Sequence, residues 1–139
     1  MLLSKYPVKI LLLLELAIDG QEEPLMWLLE NDFPELGALA NAIRNDKKAF
    51  EWLIQNGHPD LAALTKAIED DFEAYLWLKR HKRSFYIIIA DAVQPKEYAI
   101  KYLKDNELDI FIRLSMTIKR VKDQQANDAW DYHKSNPYK

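Results

Sequence analysis

Residues 25 to 123 repeat themselves every 25 positions, and that periodicity restricts the chain to architectures built from one recurring unit. Trp27, Trp52, Trp77 and Tyr102 share one phase, and each is followed by a leucine, Leu28, Leu53, Leu78 and Leu103. Leu39, Leu64, Ile89 and Leu114 share another phase, and Ile43, Ile68, Val93 and Ile118 a further one. Small residues recur as well: Ala42, Ala67, Ala92 and Thr117 on one phase, Ala49, Ala74 and Ala99 on another. The motif W-L-x-x-N-x-x-P-[ED]-L runs from Trp27 to Leu36 and again from Trp52 to Leu61. Leu11, Leu14, Ala17 and Ile18 extend the pattern backwards, and Leu3 falls on the phase of Leu28. The front unit is degenerate, as a terminal unit packed on one side should be. The pattern predicts five units, about 1–24, 25–49, 50–74, 75–99 and 100–123, in one domain over 1–123 with a polar tail over 124–139.

Within the unit from Asp46 to Glu69, Ala49, Trp52, Leu53 and Asn56 follow the i, i+3, i+4, i+7 spacing of one helical face. Asn56-Gly57 offers a residue type that accepts positive φ where a helix stops. Pro59 suits the first turn of the next helix, because its missing N–H is unneeded there. Leu61, Leu64, Thr65 and Ile68 form a second stripe, and Asp70 and Asp71 are N-cap candidates for the following unit. Each unit therefore reads as two helices of about ten residues joined by short turns, neither stable alone at that length. Ser84 takes the proline position in the third unit as a candidate N-cap. Phe85-Tyr86-Ile87-Ile88-Ile89 has strand-like composition there, but its phase predicts helix. A helix so apolar implies burial on several sides, under the tail or in an interface between molecules. The predicted class is all-α, an α-α solenoid.

A length of 139 residues suits one domain that buries roughly two-thirds of its unfolded surface. The absence of cysteine excludes disulfides, thiol catalysis and cysteine metal sites, and a reducing, cytoplasmic setting is the expectation. The apolar run Ile10–Leu14 is too short to span a bilayer and is interrupted by Glu15, so it reads as a buried first helix rather than a secretion signal. Net charge is −3, with a gradient beneath it. Residues 19–73 carry 13 acids and 4 bases, whereas residues 74–122 carry 11 bases and 5 acids. Such asymmetry suggests a dipolar surface or a partner that meets one half.

The aromatic phase Trp27, Trp52, Trp77, Tyr102 reads first as core, because it shares a face with the alanines and leucines, and second as the floor of a groove. Lys79, Arg80, His81, Lys82 and Arg83 form the sharpest charge feature, at the turn inside the third unit. Basic residues there suit the end of a helix dipole. They also form a candidate docking patch for an acidic protein surface or for nucleic acid, although five residues fall short of an extended basic stripe. The tail with Trp130 and Tyr132 is a short extra helix whose Trp130 caps the open end of the stack, a docking peptide for a partner, or simply disordered. The acids Glu69, Asp70, Asp71 and Glu73 lack the ordered spacing of a calcium loop. His58, His81 and His133 are not paired at helical spacing, and no nucleophile elbow, zinc motif or phosphate loop occurs. No catalytic residue, cofactor or metal is expected.

The stretch Trp52–Leu61 resembles the helix–turn–helix part of ankyrin-type repeats, and the chain over residues 1 to 123 resembles short HEAT-like αα-repeats. It departs from both: the T-P-L-H start of ankyrin units is absent, and the period is shorter than that of either class. The resemblance implies a curved right-handed stack that binds protein ligands without chemistry, and it supplies no binding residues. The expected function is a non-enzymatic adaptor, inhibitor or assembly subunit, monomeric or weakly dimeric, with no membrane partner. The alternative is a nucleic-acid-associated factor that uses the basic second half.

Overall fold

The computed structural model describes residues 2–135, the last five of them through their backbone. Helices and three-residue turns account for nearly all of this span, and no strand occurs among the described residues. After a 3-10 turn at Leu3–Lys5 come α1 (Val8–Ile18), α2 (Glu22–Glu30), α3 (Pro34–Ile43), α4 (Lys47–Gln55) and α5 (Pro59–Ile68). The chain continues through α6 (Phe72–Arg80), α7 (Ser84–Val93), α8 (Glu97–Asp105) and α9 (Asp109–Ser135). The bounds of α2, α4, α6 and α8 recur at intervals of 25 residues, and so do those of α3, α5 and α7.

The turns explain why the period holds. Asp32, Gly57, Lys82 and Glu107 stand one period apart and all have positive φ, as do Gly20, Asn45 and Asp70 in the alternate turns. The residue after each member of the first set donates its N–H five residues back, as in His58 to the Leu53 carbonyl at 2.8 Å and Leu108 to the Leu103 carbonyl at 2.8 Å. This is the Schellman arrangement, which satisfies the last helical carbonyls and reverses the chain within three residues. Asp46 and Asp71 then cap the following helices, accepting from the backbone N–H groups of Lys48 and Ala49 and of Glu73 and Ala74. Ser84 does not cap: it is the first helical residue of α7, behind Arg83.

The odd-numbered helices form an inner layer in which α1 packs on α3, α3 on α5, α5 on α7 and α7 on α9. The first and last members, expected to be opposite ends of a stack, also pack on each other, so the inner layer closes on itself. Three phases fill its interior, namely Leu11, Leu36, Leu61, Tyr86 and Phe111; Leu14, Leu39, Leu64, Ile89 and Leu114; and Ile18, Ile43, Ile68, Val93 and Ile118, none more than 4% exposed. The segment Phe85–Ile89 lies in α7, packed by α5, α6, α8 and α9, with Phe85 set edge-on to Phe111 at 5.0 Å. Residues before α1 cross the end at which the inner helices begin. Leu3 donates its N–H to the Tyr86 hydroxyl at 3.1 Å, and the Tyr6 hydroxyl donates to Glu35 at 2.8 Å. Burial, with the nearby Asp60 charge adding to it, pushes the Tyr86 hydroxyl up to about 12.

The even-numbered helices form an outer layer, each bridging two inner neighbours: α2 on α1 and α3, α4 on α3 and α5, α6 on α5 and α7, α8 on α7 and α9. Their anchors are Leu28, Leu53, Leu78 and Leu103, all 0% exposed. The aromatic phase is therefore not core. Trp27 and Tyr102 are 41% and 43% exposed, and Trp52 and Trp77 are half-buried. Adjacent helical positions point about 100° apart, so only one of the two can enter the cleft between inner helices, and the leucine takes it. The indoles flank the core rather than fill it, Trp52 and Trp77 packed against its edge, and each stacks near a turn: Trp27 on Phe33, Trp52 on His58 and Trp77 on His81 at 3.9 Å between centroids.

The tail expectation changes too. Residues 124–135 continue α9 rather than forming a separate element, and Trp130, at 67% exposed, caps nothing. In chemical denaturation, Leu53→Ala is expected to cost about 3–5 kcal/mol. Trp52→Ala should cost only about 1–2 kcal/mol, chiefly its packing on His58. The reverse order would restore the indole to the core.

Candidate functional site

Closure of the inner layer creates a contact that the outer layer does not cover. Each of the other inner seams carries an outer helix, but among the described residues the seam between α9 and α1 has none. A groove of about 860 Å³ lies there, walled by Leu16 of α1 and Asp19 at its C-cap, Ile100 and Lys104 of α8, and Ile112 and Met116 of α9. Its apolar floor is half-buried, and Met116 on its rim is 66% exposed.

The polar groups of this seam hold the closure. Glu15 occupies a buried phase that elsewhere carries Ala40, Thr65, Ala90 and Ser115, and it is itself 5% exposed. Its carboxylate accepts from Arg113 Nε, at 2.9 Å to each oxygen, and from the Thr117 hydroxyl at 3.3 Å. Beside it, Arg120 donates to Asp19 at 2.7 Å. The acids lie behind and the guanidinium groups face out: the side chains of Arg113 and Arg120 are 66% and 61% exposed, against 7% for Glu15 and 33% for Asp19. A carboxylate so buried is tolerated only with a charged, hydrogen-bonding partner in place.

The basic turn lies elsewhere, between α6 and α7. Lys79 and Arg80 form the last turn of α6, and His81 follows, stacked on Trp77 with Nδ1 2.8 Å from the Trp77 carbonyl. Lys82 takes the positive-φ position, and Arg83 approaches Asp60 of α5 at 3.6 Å, an ion-pair distance too long for a hydrogen bond. Lys79, Arg80, His81 and Lys82 remain exposed. The turn shares no residue with the groove, and α6 packs on α5 and α7 rather than on either seam helix. Trp130 projects from α9, and the side chain of Tyr132 lies outside the described residues.

A second polar cluster surrounds Asp91 on α7, which is 5% exposed. It accepts from the Tyr75 hydroxyl of α6 at 3.0 Å, from the Tyr98 hydroxyl of α8, and from Lys96 at 3.2 Å. This ties two outer helices to one inner helix. Among the described residues, no group of three or more His, Cys, Asp or Glu side chains could hold a metal ion, and no helix is long and apolar enough to cross a membrane.

Sequence reasoning reached the basic turn but not the groove. The available signal was a pair of exceptions to the repeat: Glu15 on a phase of small buried residues, and Arg113 where earlier units have Leu13, Ala38, Ala63 and Ile88. Comparison of the chain with protein-family models, with curated proteins and with solved structures finds no match.

Arg113→Met is expected to destabilise the fold by about 2–3 kcal/mol in urea denaturation, below the cost of breaking a fully buried pair because the guanidinium is exposed. Adding Glu15→Ala, the residue present at Ala40 and Ala90, should recover part of that loss. A double variant that loses the sum of the two single effects would show that the pair does not hold the seam.

Proposed function

We propose that the chain is a repeat-built protein-interaction module, five inner and four outer helices from 25-residue αα units, that holds a partner protein at the uncovered seam between α9 and α1. The observation that carries this reading is the groove itself, about 860 Å³ with an apolar floor, in a fold that covers every equivalent seam with a helix. Concave surfaces with an apolar floor and polar groups on the rim are where ligands bind. The role is that of a small adaptor, inhibitor or assembly subunit, without catalysis or cofactor. Ion pairing favours this over a nucleic-acid role, because Arg83, Lys96 and Lys122 of the basic second half already face Asp60, Asp91 and Glu69.

The test is affinity capture from the native host, with nuclease treatment, using the wild-type chain and two variants. Met116→Asp places a charge on the exposed rim of the groove, and the triple change of Lys79, Arg80 and Lys82 to Glu reverses the basic turn. A protein should copurify with wild type and with the triple variant, and be lost from Met116→Asp with its melting temperature unchanged. Recovery of nucleic acid that is released as salt rises would overturn the reading. So would capture that depends on the basic turn and ignores Met116.

A further inference from the structure

We infer that the groove between α9 and α1 is the seat of a short acidic amphipathic helix from a partner protein, bound as the outer helices bind their own seams. This rests on the interaction reading above and names its ligand.

The fold contains a filled version of the same seat. One side of α4, with Lys48, Ala49 and Trp52, faces Leu29 of α2 and Pro34, Ala38 and Asn41 of α3. Its other side, with Lys47 and Phe50, faces Ala42 of α3 and Asn45 of the turn after it, and Thr65 and Lys66 of α5 with Glu69 just beyond its end. Moving the α2 and α3 positions forward three periods yields Lys104, Asp109, Arg113, Met116, Thr117 and Arg120; moving the α5 positions back two periods yields Glu15, Leu16 and Asp19. All of these line the groove. Wall for wall, the groove is the α4 seat without its helix.

The occupant's dimensions and anchors follow from the filled seats. Each outer helix has nine residues and places one leucine, fully buried, behind an aromatic residue that stays on the rim. The occupant is therefore a helix of about nine residues, roughly 14 Å long, with a leucine entering between α9 and α1. An exposed aromatic before that leucine would lie against Met116. A helix laid in a groove on such anchors is a recurrent mode of peptide recognition.

The walls differ in charge, and the difference selects the partner. Three positions that are Leu29, Ala38 and Asn45 at the α4 seat are Lys104, Arg113 and Arg120 at the open one. Glu15 and Asp19 pair with the two guanidinium groups from behind, so the lining balances three bases against three acids, and its unpaired cation among the described residues is Lys104, with Asp109 at the same end. Arg120 stands at the position of Asn45, next to the start of α4, and so would meet the first turn of the occupant, where acids also suit the helix dipole. Among the chain's own outer helices, α2 has this character, with Glu22 and Glu23 in its first turn, Glu30 in its last and no basic residue.

The experiment uses a fluorescent peptide carrying Gln21–Asp32 of this chain, crosslinked between exposed side chains to hold it helical, titrated into the full-length protein. Anisotropy should report saturable binding, weakened at least about tenfold by Leu28→Ala in the peptide and by Met116→Asp in the protein. Lys104→Glu and added salt should weaken it further, and a matching peptide of Asp46–Gly57, with its two lysines, should bind less well. Binding indifferent to Met116→Asp would place the peptide elsewhere, for instance displacing α2 itself, and would overturn the inference. So would tighter binding of the Asp46–Gly57 peptide. Concentration-dependent self-association abolished by Met116→Asp would give the seat to a second copy. If no peptide binds while partner capture still depends on Met116, this inference fails and the interaction reading stands.

Discussion

The contact between α1 and α9 decides the character of the molecule, because it joins helices whose bonded side chains Glu15 and Arg113 are 98 residues apart. Helices of nine to eleven residues are marginal on their own and depend on burial against neighbours. In an open array the two end helices would each lack an inner neighbour, but closure gives every inner helix two. The same closure has a topological consequence. Among the described residues the ring has five inner helices and four outer ones, and the α9–α1 seam is the one without an outer helix. The groove is a product of how the ring closes.

Charge helps to match distant elements that apolar burial brings together. The acidic early half and basic late half, read along the chain as a dipolar surface, face each other across contacts that long-range folding creates. Arg120 meets Asp19, and Lys122 reaches both Glu69 at 3.2 Å and Asn45 at 3.1 Å. The gradient is thus partly consumed inside the fold, and at the seam Lys104 is the cation left without an ion pair among the described residues. Exposed pairs of this type contribute little each. Their value here is register, since they match α9 to the helices that it must close upon.

Much of the local structure was legible in the residues. Spacing placed helices and turns, and Gly57 marked a turn of positive φ; Asp70, expected as a cap, takes positive φ instead and leaves the capping to Asp71. Phase also identified Phe85–Ile89 as helix against its strand-like composition. The indole ladder was misread for a specific reason: Trp52 and Leu53 are both apolar neighbours on one helix, and periodicity cannot say which of them enters the cleft. Closure was illegible for a deeper one. A repeat describes how each unit meets the next and contains no information about whether the last unit meets the first. Only the departures from the pattern, Glu15 and Arg113, carried that information, and they are interpretable once α1 and α9 are side by side.

Amide hydrogen exchange, followed residue by residue, tests closure most directly. Arrays whose units touch only their sequence neighbours fray from their ends, and protection reports local opening free energy. If α1 and α9 seal each other, the amides of Leu11–Ile18 and Phe111–Val121 should exchange about as slowly as those of α5 in the middle of the chain. Exchange at both ends faster by orders of magnitude, with α5 still protected, would mean an open array and no α9–α1 seam to bind anything.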